Sequence, residues 1–174
     1  MKRMLVLALG LMMVPAVASA QVEVGLDAGL FYSDTQGVAD AAIGLQVPFS
    51  GARVGFAAGE RLIVETRLSF DWFKQGDASG SGLVIVPGVN YLVTEQVYVR
   101  GEAGLSRDAF DPGTGGGSQT QYLFGGAVGM RRPLGPALLR LEAGVDKALE
   151  NTADNVPSST EVHVGVGVSA IIGG

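Results

Sequence analysis

Val22-Glu23-Val24-Gly25-Leu26-Asp27-Ala28-Gly29-Leu30 decides how the rest of the chain is read. Apolar residues occupy every second position, and acids and glycines fill the positions between them. A period of two puts successive side chains on opposite faces, which is the mark of a β-strand with two different environments. The same alternation returns along the chain and predicts eight strands: Val22–Ser33, Ala42–Ala58, Arg61–Phe73, Gly82–Val93, Gln96–Ser106, Thr120–Arg132, Ala137–Leu149 and Thr160–Ile172. Pro48 and Gly51 interrupt the second, so its regular part contracts to Arg53–Ala58, with a loop or bulge before it.

The connections alternate in length. Gly59-Glu60, Thr94-Glu95 and the Pro133–Pro136 segment read as short turns. Asp34–Ala41, Lys74–Ser81, Arg107–Gln119 and Glu150–Ser159 read as longer polar loops. Short turns at one end and long loops at the other, with an even strand count, are expected of an up-and-down membrane barrel. Gly113–Gly117 is a low-complexity loop and not a phosphate cradle, because no helix follows it. Arg100-Gly101-Glu102-Ala103-Gly104-Leu105 and Arg140-Leu141-Glu142-Ala143-Gly144-Val145 form a weak internal repeat with the spacing of a hairpin unit.

Residues 1–20 read differently. Lys2 and Arg3 precede an apolar run, Met4–Val14, and Ala18-Ser19-Ala20 has the small-x-small form of a cleavage site. This is the pattern of a secretory signal peptide, too short for a membrane-spanning helix. The expected division is therefore a signal peptide over 1–20 and a single barrel domain over 21–174. The sequence has no cysteine, which excludes disulfides, thiol chemistry and a lipid-anchoring cysteine. An acidic balance of 17 Asp and Glu against 12 Lys and Arg, without basic clusters, argues against nucleic-acid binding.

The two faces carry the functional expectation. One holds Val22, Val24, Leu26, Leu62, Val64, Leu68, Leu83, Val89, Val99, Val128, Leu141, Val164, Val166 and Val168, with no charge among them. The other holds Glu23, Asp27, Arg53, Glu65, Arg67, Asp71, Arg100, Glu102, Arg131, Arg140, Glu142, Asp146 and Glu161, together with His163. A soluble barrel would turn the apolar face inward, and a membrane barrel turns it to lipid. Three features select the second arrangement. Glycines at 25, 29, 44, 55, 104, 144, 165 and 167 share the charged face and leave room for large side chains. That face uses arginine and no lysine, and the guanidinium fork suits buried ion pairs. Tyr32, Phe70, Trp72, Tyr122 and Phe124 fall on the apolar face near the long loops, as an aromatic girdle would. The fourteen inward groups are read as a structural ion-pair network that fills the lumen. Arg67 is expected to pair along its own strand with Glu65 and Asp71, and Arg100 and Arg140 each with the acid two residues on.

This pattern of strands, faces and connections resembles the small outer-membrane barrels of the OmpA/OmpX type over the whole of residues 21–174. The resemblance is one of architecture. It implies insertion into the outer membrane by the assembly machinery, contact with membrane lipids, and a lumen occupied by side chains. Such proteins often end on an aromatic residue, whereas this sequence ends Ala170-Ile171-Ile172-Gly173-Gly174, so Val164, Val166, Val168 and Ile172 would carry the recognition of the last strand.

Chemistry has little support in the sequence. His163 is the sole histidine and shares the inward face with Glu161, which allows an acid–base pair but fits a hydrogen-bonded lumen histidine better. Ser169 lies about 20 Å further along the strand. One histidine and no cysteine make zinc unfavourable, and the loop acids Asp108, Asp111, Asp154 and Glu150 lack the spacing of a calcium loop. No cofactor or metal is expected. The expected function is a non-enzymatic barrel acting in envelope structure or through its loops. A narrow cation-favouring channel, a lipid-modifying enzyme and a soluble periplasmic ligand-binding barrel are the alternatives.

Overall fold

The computed structural model describes residues 21–46, 51–113 and 116–172. The expected signal peptide, the tip of the Gly113–Gly117 loop and the last two glycines lie outside these residues. Nine strands follow one another: β1 Val22–Thr35, β2 Ala42–Gln46, β3 Ala52–Ala57, β4 Leu62–Gln75, β5 Ala78–Leu92, β6 Val97–Asp111, β7 Gly117–Leu134, β8 Ala137–Ala148 and β9 Ser159–Ile172. Every pairing is antiparallel between neighbours, and β9 returns to pair with β1 from Thr35↔Ser159 to Val22↔Ile172. The sheet is closed. β2 and β3 both lie against β1, β2 on Gly29–Ser33 and β3 on Val22–Leu26. They are two segments of one stave, so the barrel has eight. The Ala42–Gln46 part of the second stave, read as loop or bulge from the sequence, is therefore strand; Pro48 and the residues beside it lie outside the described ones.

Two loops are shorter than expected. The supposed Lys74–Ser81 loop is a two-residue turn, Gly76-Asp77, between paired Gln75 and Ala78. Gly76 has φ +61°, and glycine leading a two-residue turn gives the backbone twist that a hairpin requires. The Arg107–Gln119 loop contracts likewise, because β6 and β7 stay paired out to Phe110↔Gly117. Polar composition misled at both places. A strand end in water on both faces carries serine and aspartate as readily as a loop does. At the other end, Pro133 continues β7 opposite Leu138, and the turn narrows to Gly135-Pro136, with Gly135 at φ +60°.

Register sets the shape. A walk across the paired residues from Val22 passes Phe56, Val64, Val89, Gly101, Gly126, Val145 and Val162 and re-enters β1 at Tyr32, ten residues further on. A ten-residue stagger over eight staves corresponds to a strand tilt of about 40° and a backbone radius of about 8 Å. Such a cylinder has an interior just wide enough for side chains to fill or for one small ligand. The parallel walk from Glu23 passes Gly55, Glu65, Gly88, Glu102, Gly125, Asp146 and Glu161. Acids alternate with glycines from Glu23 to Asp146, and the carboxylate of Asp146 lies over Gly125, where a Cβ would strike it; Glu161 breaks the alternation, pairing with Asp146 and Ser33.

Gly129 shows what this alternation does. A Cβ there would strike the ring of Tyr98, which is fully buried. Gly129→Val is expected to lower the unfolding free energy in detergent by about 1–3 kcal/mol through overpacking. Gly101→Val, where an outward Cβ meets nothing within 4 Å, should stay within about 0.5 kcal/mol of the parent. Urea titration followed by the fluorescence of Trp72, the only tryptophan, measures both.

Candidate functional site

The outer surface is a continuous apolar belt. Leu30, Val128, Val164 and Val168 are half or more exposed, and the whole alternating set of valines and leucines points away from the axis. Tyr32, Phe70, Trp72, Tyr122 and Phe124 are all exposed. With the stagger shared evenly over eight staves, these five fall within about 6 Å of one height along the barrel axis. Tyr91 and Phe56 share a second height about 20 Å lower. The outward charges lie at the margins: Lys74, Arg107 and Lys147 at or above the upper aromatic level, Arg132 below the lower one. Lys147 Nζ turns to Thr160 Oγ1 at 3.1 Å and Ser158 Oγ at 3.5 Å.

The lower two-thirds of the lumen is filled by ion pairs. Glu65 is the hub and is buried. It meets Arg140 at 2.5 Å, Arg53 at 3.4 Å and Arg100 at 3.5 Å, and accepts from Asn90 Nδ2 at 3.2 Å. The two arginines of the internal repeat, Arg100 and Arg140, therefore converge on one carboxylate. Arg100 also holds Glu142 at 2.8 Å and Glu102 at 3.1 Å. Arg53 pairs with Asp27 at 2.5 Å. Arg131 pairs with Glu23 at 2.8 Å, and Ser169 donates to the other oxygen of Glu23 at 2.6 Å. Arg67 pairs with Glu102 and, at 3.3 Å, with Asp146.

Tyr98 completes the layer. Its hydroxyl donates to Glu142 at 2.6 Å and accepts from Arg140 at 2.7 Å, and the Arg140 guanidinium lies 4.8 Å from its ring centroid. Burying guanidinium and carboxylate is tolerable only when each finds several partners, because desolvation costs several kcal/mol per ion. Tyr98 and Asn90 are absent from the fourteen groups named from the sequence. The parity that puts Val97, Val99, Val89 and Tyr91 outside places both within, although neither carries a charge.

Two sequence expectations are corrected here. Arg67 does not pair along its strand: its partners are Glu102 and Asp146 on other staves, whereas Arg100 and Arg140 do meet the acids two residues on, Glu102 at 3.1 Å and Glu142 at 3.5 Å. Asp71 is exposed at the upper rim, beside Gly82 and Asp108, and takes no part in an ion pair among the described residues. Glu161 likewise forms none there.

A cavity of about 530 Å³ takes in the upper lumen, where Asp27, Arg67, Glu142, Asp146, Glu161 and His163 line it, and extends through the wall beside β2 and β3, where Leu30, Leu45 and Leu68 line it. His163 faces Asp146 at 3.5 Å from Nδ1 and Glu142 at 3.8 Å from Nε2. Neither ring nitrogen has a hydrogen-bond partner, so the imidazole engages no hydroxyl. Ser169, bound to Glu23 at the opposite end, is not available to it. Outside the lumen, Asp154 accepts from the Thr120 amide at 2.9 Å and from Asn151 Nδ2 at 2.9 Å. It ties the 150–158 loop to β7.

No protein-family model and no curated protein matches the sequence. Solved structures do match the fold. Neisserial surface protein A superposes with a TM-score of 0.56 at 18% identity, covering 84% of this chain and 96% of that one. Ail, the attachment invasion locus protein of Yersinia pestis, gives 0.52 at 11% identity, covering 88% and 99%. Closure by eight antiparallel staves and superposition over nearly all of both solved barrels lead to one conclusion: the chain has the OmpA/OmpX-like fold of the small outer-membrane barrels.

Proposed function

We propose that the chain is a non-enzymatic integral protein of a bacterial outer membrane, acting in envelope structure or through contacts made by its loop end. Residues 1–20 serve as the signal for export and are removed, the assembly machinery inserts the barrel, and lipid acyl chains surround it. The observation that carries this reading is the inversion of the two faces. Valine and leucine side chains cover the outside of a closed sheet while five arginines and their carboxylates occupy the inside. In water this surface would be a large adhesive patch; in lipid it is the required one. Closure of β9 onto β1 pairs the strand edges that lipid could not solvate, although among the described residues β2 pairs with β1 alone and Ser69–Gln75 of β4 with β5 alone. The belt of about 20 Å between aromatic levels suits an outer membrane, which is thinner than average.

The alternatives fare less well on the same geometry. A soluble periplasmic barrel needs its apolar face inside. A cation channel needs a continuous water path, and the Glu65–Arg140–Tyr98 layer blocks the lower lumen. A lipid-modifying enzyme needs catalytic groups that lipid can reach, whereas His163 faces the axis.

Three outcomes follow from this reading. Expressed with residues 1–20, the chain should fractionate with outer membranes and migrate differently in cold detergent and after boiling; recovery in the soluble periplasm without detergent would refute the membrane assignment. Purified, refolded barrel in planar bilayers should show no discrete openings over a range of voltages. Arg140→Ala removes the shortest of the three arginine contacts of buried Glu65 and the donor to Tyr98; with Arg53 and Arg100 still in place it should cost about 1–3 kcal/mol of stability in urea titrations. Asp71→Asn, at the exposed rim, should change it by no more than about 0.5 kcal/mol.

A further inference from the structure

We propose that Asp146, Glu161 and His163 form a binding site for a divalent transition-metal ion in the upper lumen. The inference needs the closed barrel but not its membrane location, and nothing in the structural role of the lower network calls for it. β8 supplies Asp146 and β9 supplies Glu161 and His163, and Asp146↔Glu161 is a directly paired position of the two strands. One ligand atom from each side chain lies within 4.8 Å of the others; two ligands of one zinc ion stand at most about 4.4 Å apart, so the side chains need draw in by only a few tenths of an ångström to share an ion.

Three further observations point to a cation. First, charge is uneven. Apart from Asp71 at the rim, seven lumen carboxylates face five arginines, a formal excess of two negative charges, which one divalent ion cancels. Second, the excess is local. All five arginines lie in the lower two-thirds, and among the described residues the level of His163 and Glu161 holds no inward arginine or lysine. Arg67 reaches up to Asp146 Oδ2 at 3.3 Å, the oxygen that His163 Nδ1 faces at 3.5 Å, and an ion there would share that carboxylate with it, while Glu161 forms no ion pair among the described residues. Third, both nitrogens of His163 are buried without a hydrogen-bond partner, although the ring sits beside a cavity with room for water to complete a coordination shell.

The donor set decides the class of ion. One imidazole nitrogen with two carboxylates suits zinc and its neighbours in the first transition row; calcium and magnesium prefer oxygen alone. Gly144 contributes by omission. A Cβ at that position would stand 2.7 Å from His163 Nε2, so only glycine on β8 lets the imidazole lie across the wall toward Asp146.

The test uses refolded barrel in detergent, freed of metal with a chelator and then titrated with zinc chloride. Calorimetry should show one site per chain, and calcium should not compete. His163 is the only histidine, so its imidazole signals in nuclear magnetic resonance report the ligation without ambiguity and should move on zinc addition. Glu161→Gln and His163→Ala should each weaken binding at least about tenfold, while Asp71→Asn leaves it unchanged. The cold-gel shift identifies variants that have folded, and Glu161→Gln, which keeps the side chain's size, serves if His163→Ala does not. Absence of heat and of imidazole shifts up to millimolar zinc in the parent would overturn the proposal. So would affinity undiminished in the folded variants. Either result would leave the membrane assignment standing, because fractionation tests that separately.

Discussion

Pairing of Val22–Thr35 with Ser159–Ile172 is the constraint on which everything else in the molecule rests. Without it the sheet would have two raw edges, and its faces would be two sides of a ribbon, both reachable by solvent. With it, one face becomes an interior and the other an outer surface whose backbone groups are mostly engaged in the ladder. The ten-residue stagger turns this closure into dimensions. It tilts the strands, fixes the radius, and brings residues far apart in sequence to one level. Tyr32, Trp72 and Tyr122 come from three separate parts of the chain, and the stagger alone aligns them.

Within that cylinder the ion pairs and the glycines are one device. An arginine crossing a lumen of this width must pass over the neighbouring stave, and a Cβ there would stop it. Glu65 can collect Arg53, Arg100 and Arg140 because Gly55 and Gly88 flank it on the adjoining strands. The same arrangement penalises mispairing. A slip of one residue in any hairpin would send its arginines outward and its valines inward, so both faces oppose the error at once. Buried ion pairs add little net stability over apolar packing; their value here lies in specifying a register.

The strands, their phases and the closure were legible in the sequence because period-two alternation is a local property. Val162, Val164, Val166 and Val168 announce their face without reference to anything else. Strand ends were less legible: beyond the apolar belt both faces meet water, so Ser79–Ser81 and Arg107–Asp111 lose the alternation while keeping the hydrogen bonds. Partners were the least legible. Parity says that Arg67 points inward but not across which chord it reaches. That depends on the stagger, which is a sum over all eight pairings. The grouping of Asp146 and Glu161 on adjacent strands was hidden for the same reason. So were Tyr98 and Asn90, uncharged polar groups whose inward phase was readable but whose role appears only beside Glu142 and Glu65.

The axial asymmetry of the lumen follows from these same parts. Cross-links among Glu23, Glu65, Arg100, Arg131 and Arg140 tie staves from all round the wall at the short-turn end, where the turns themselves are tight. At the other end the staves run on as hairpins past the aromatic level, the arginines stop, and carboxylates and one imidazole face an open cavity. Rigidity at one end is what allows the other to be spacious, since the register is already determined below. The ion-paired layer leaves the free space of the lumen at the loop end. Any recognition it performs, whether of an ion in the upper lumen or of a molecule at the loops, belongs to the end that the plug leaves free.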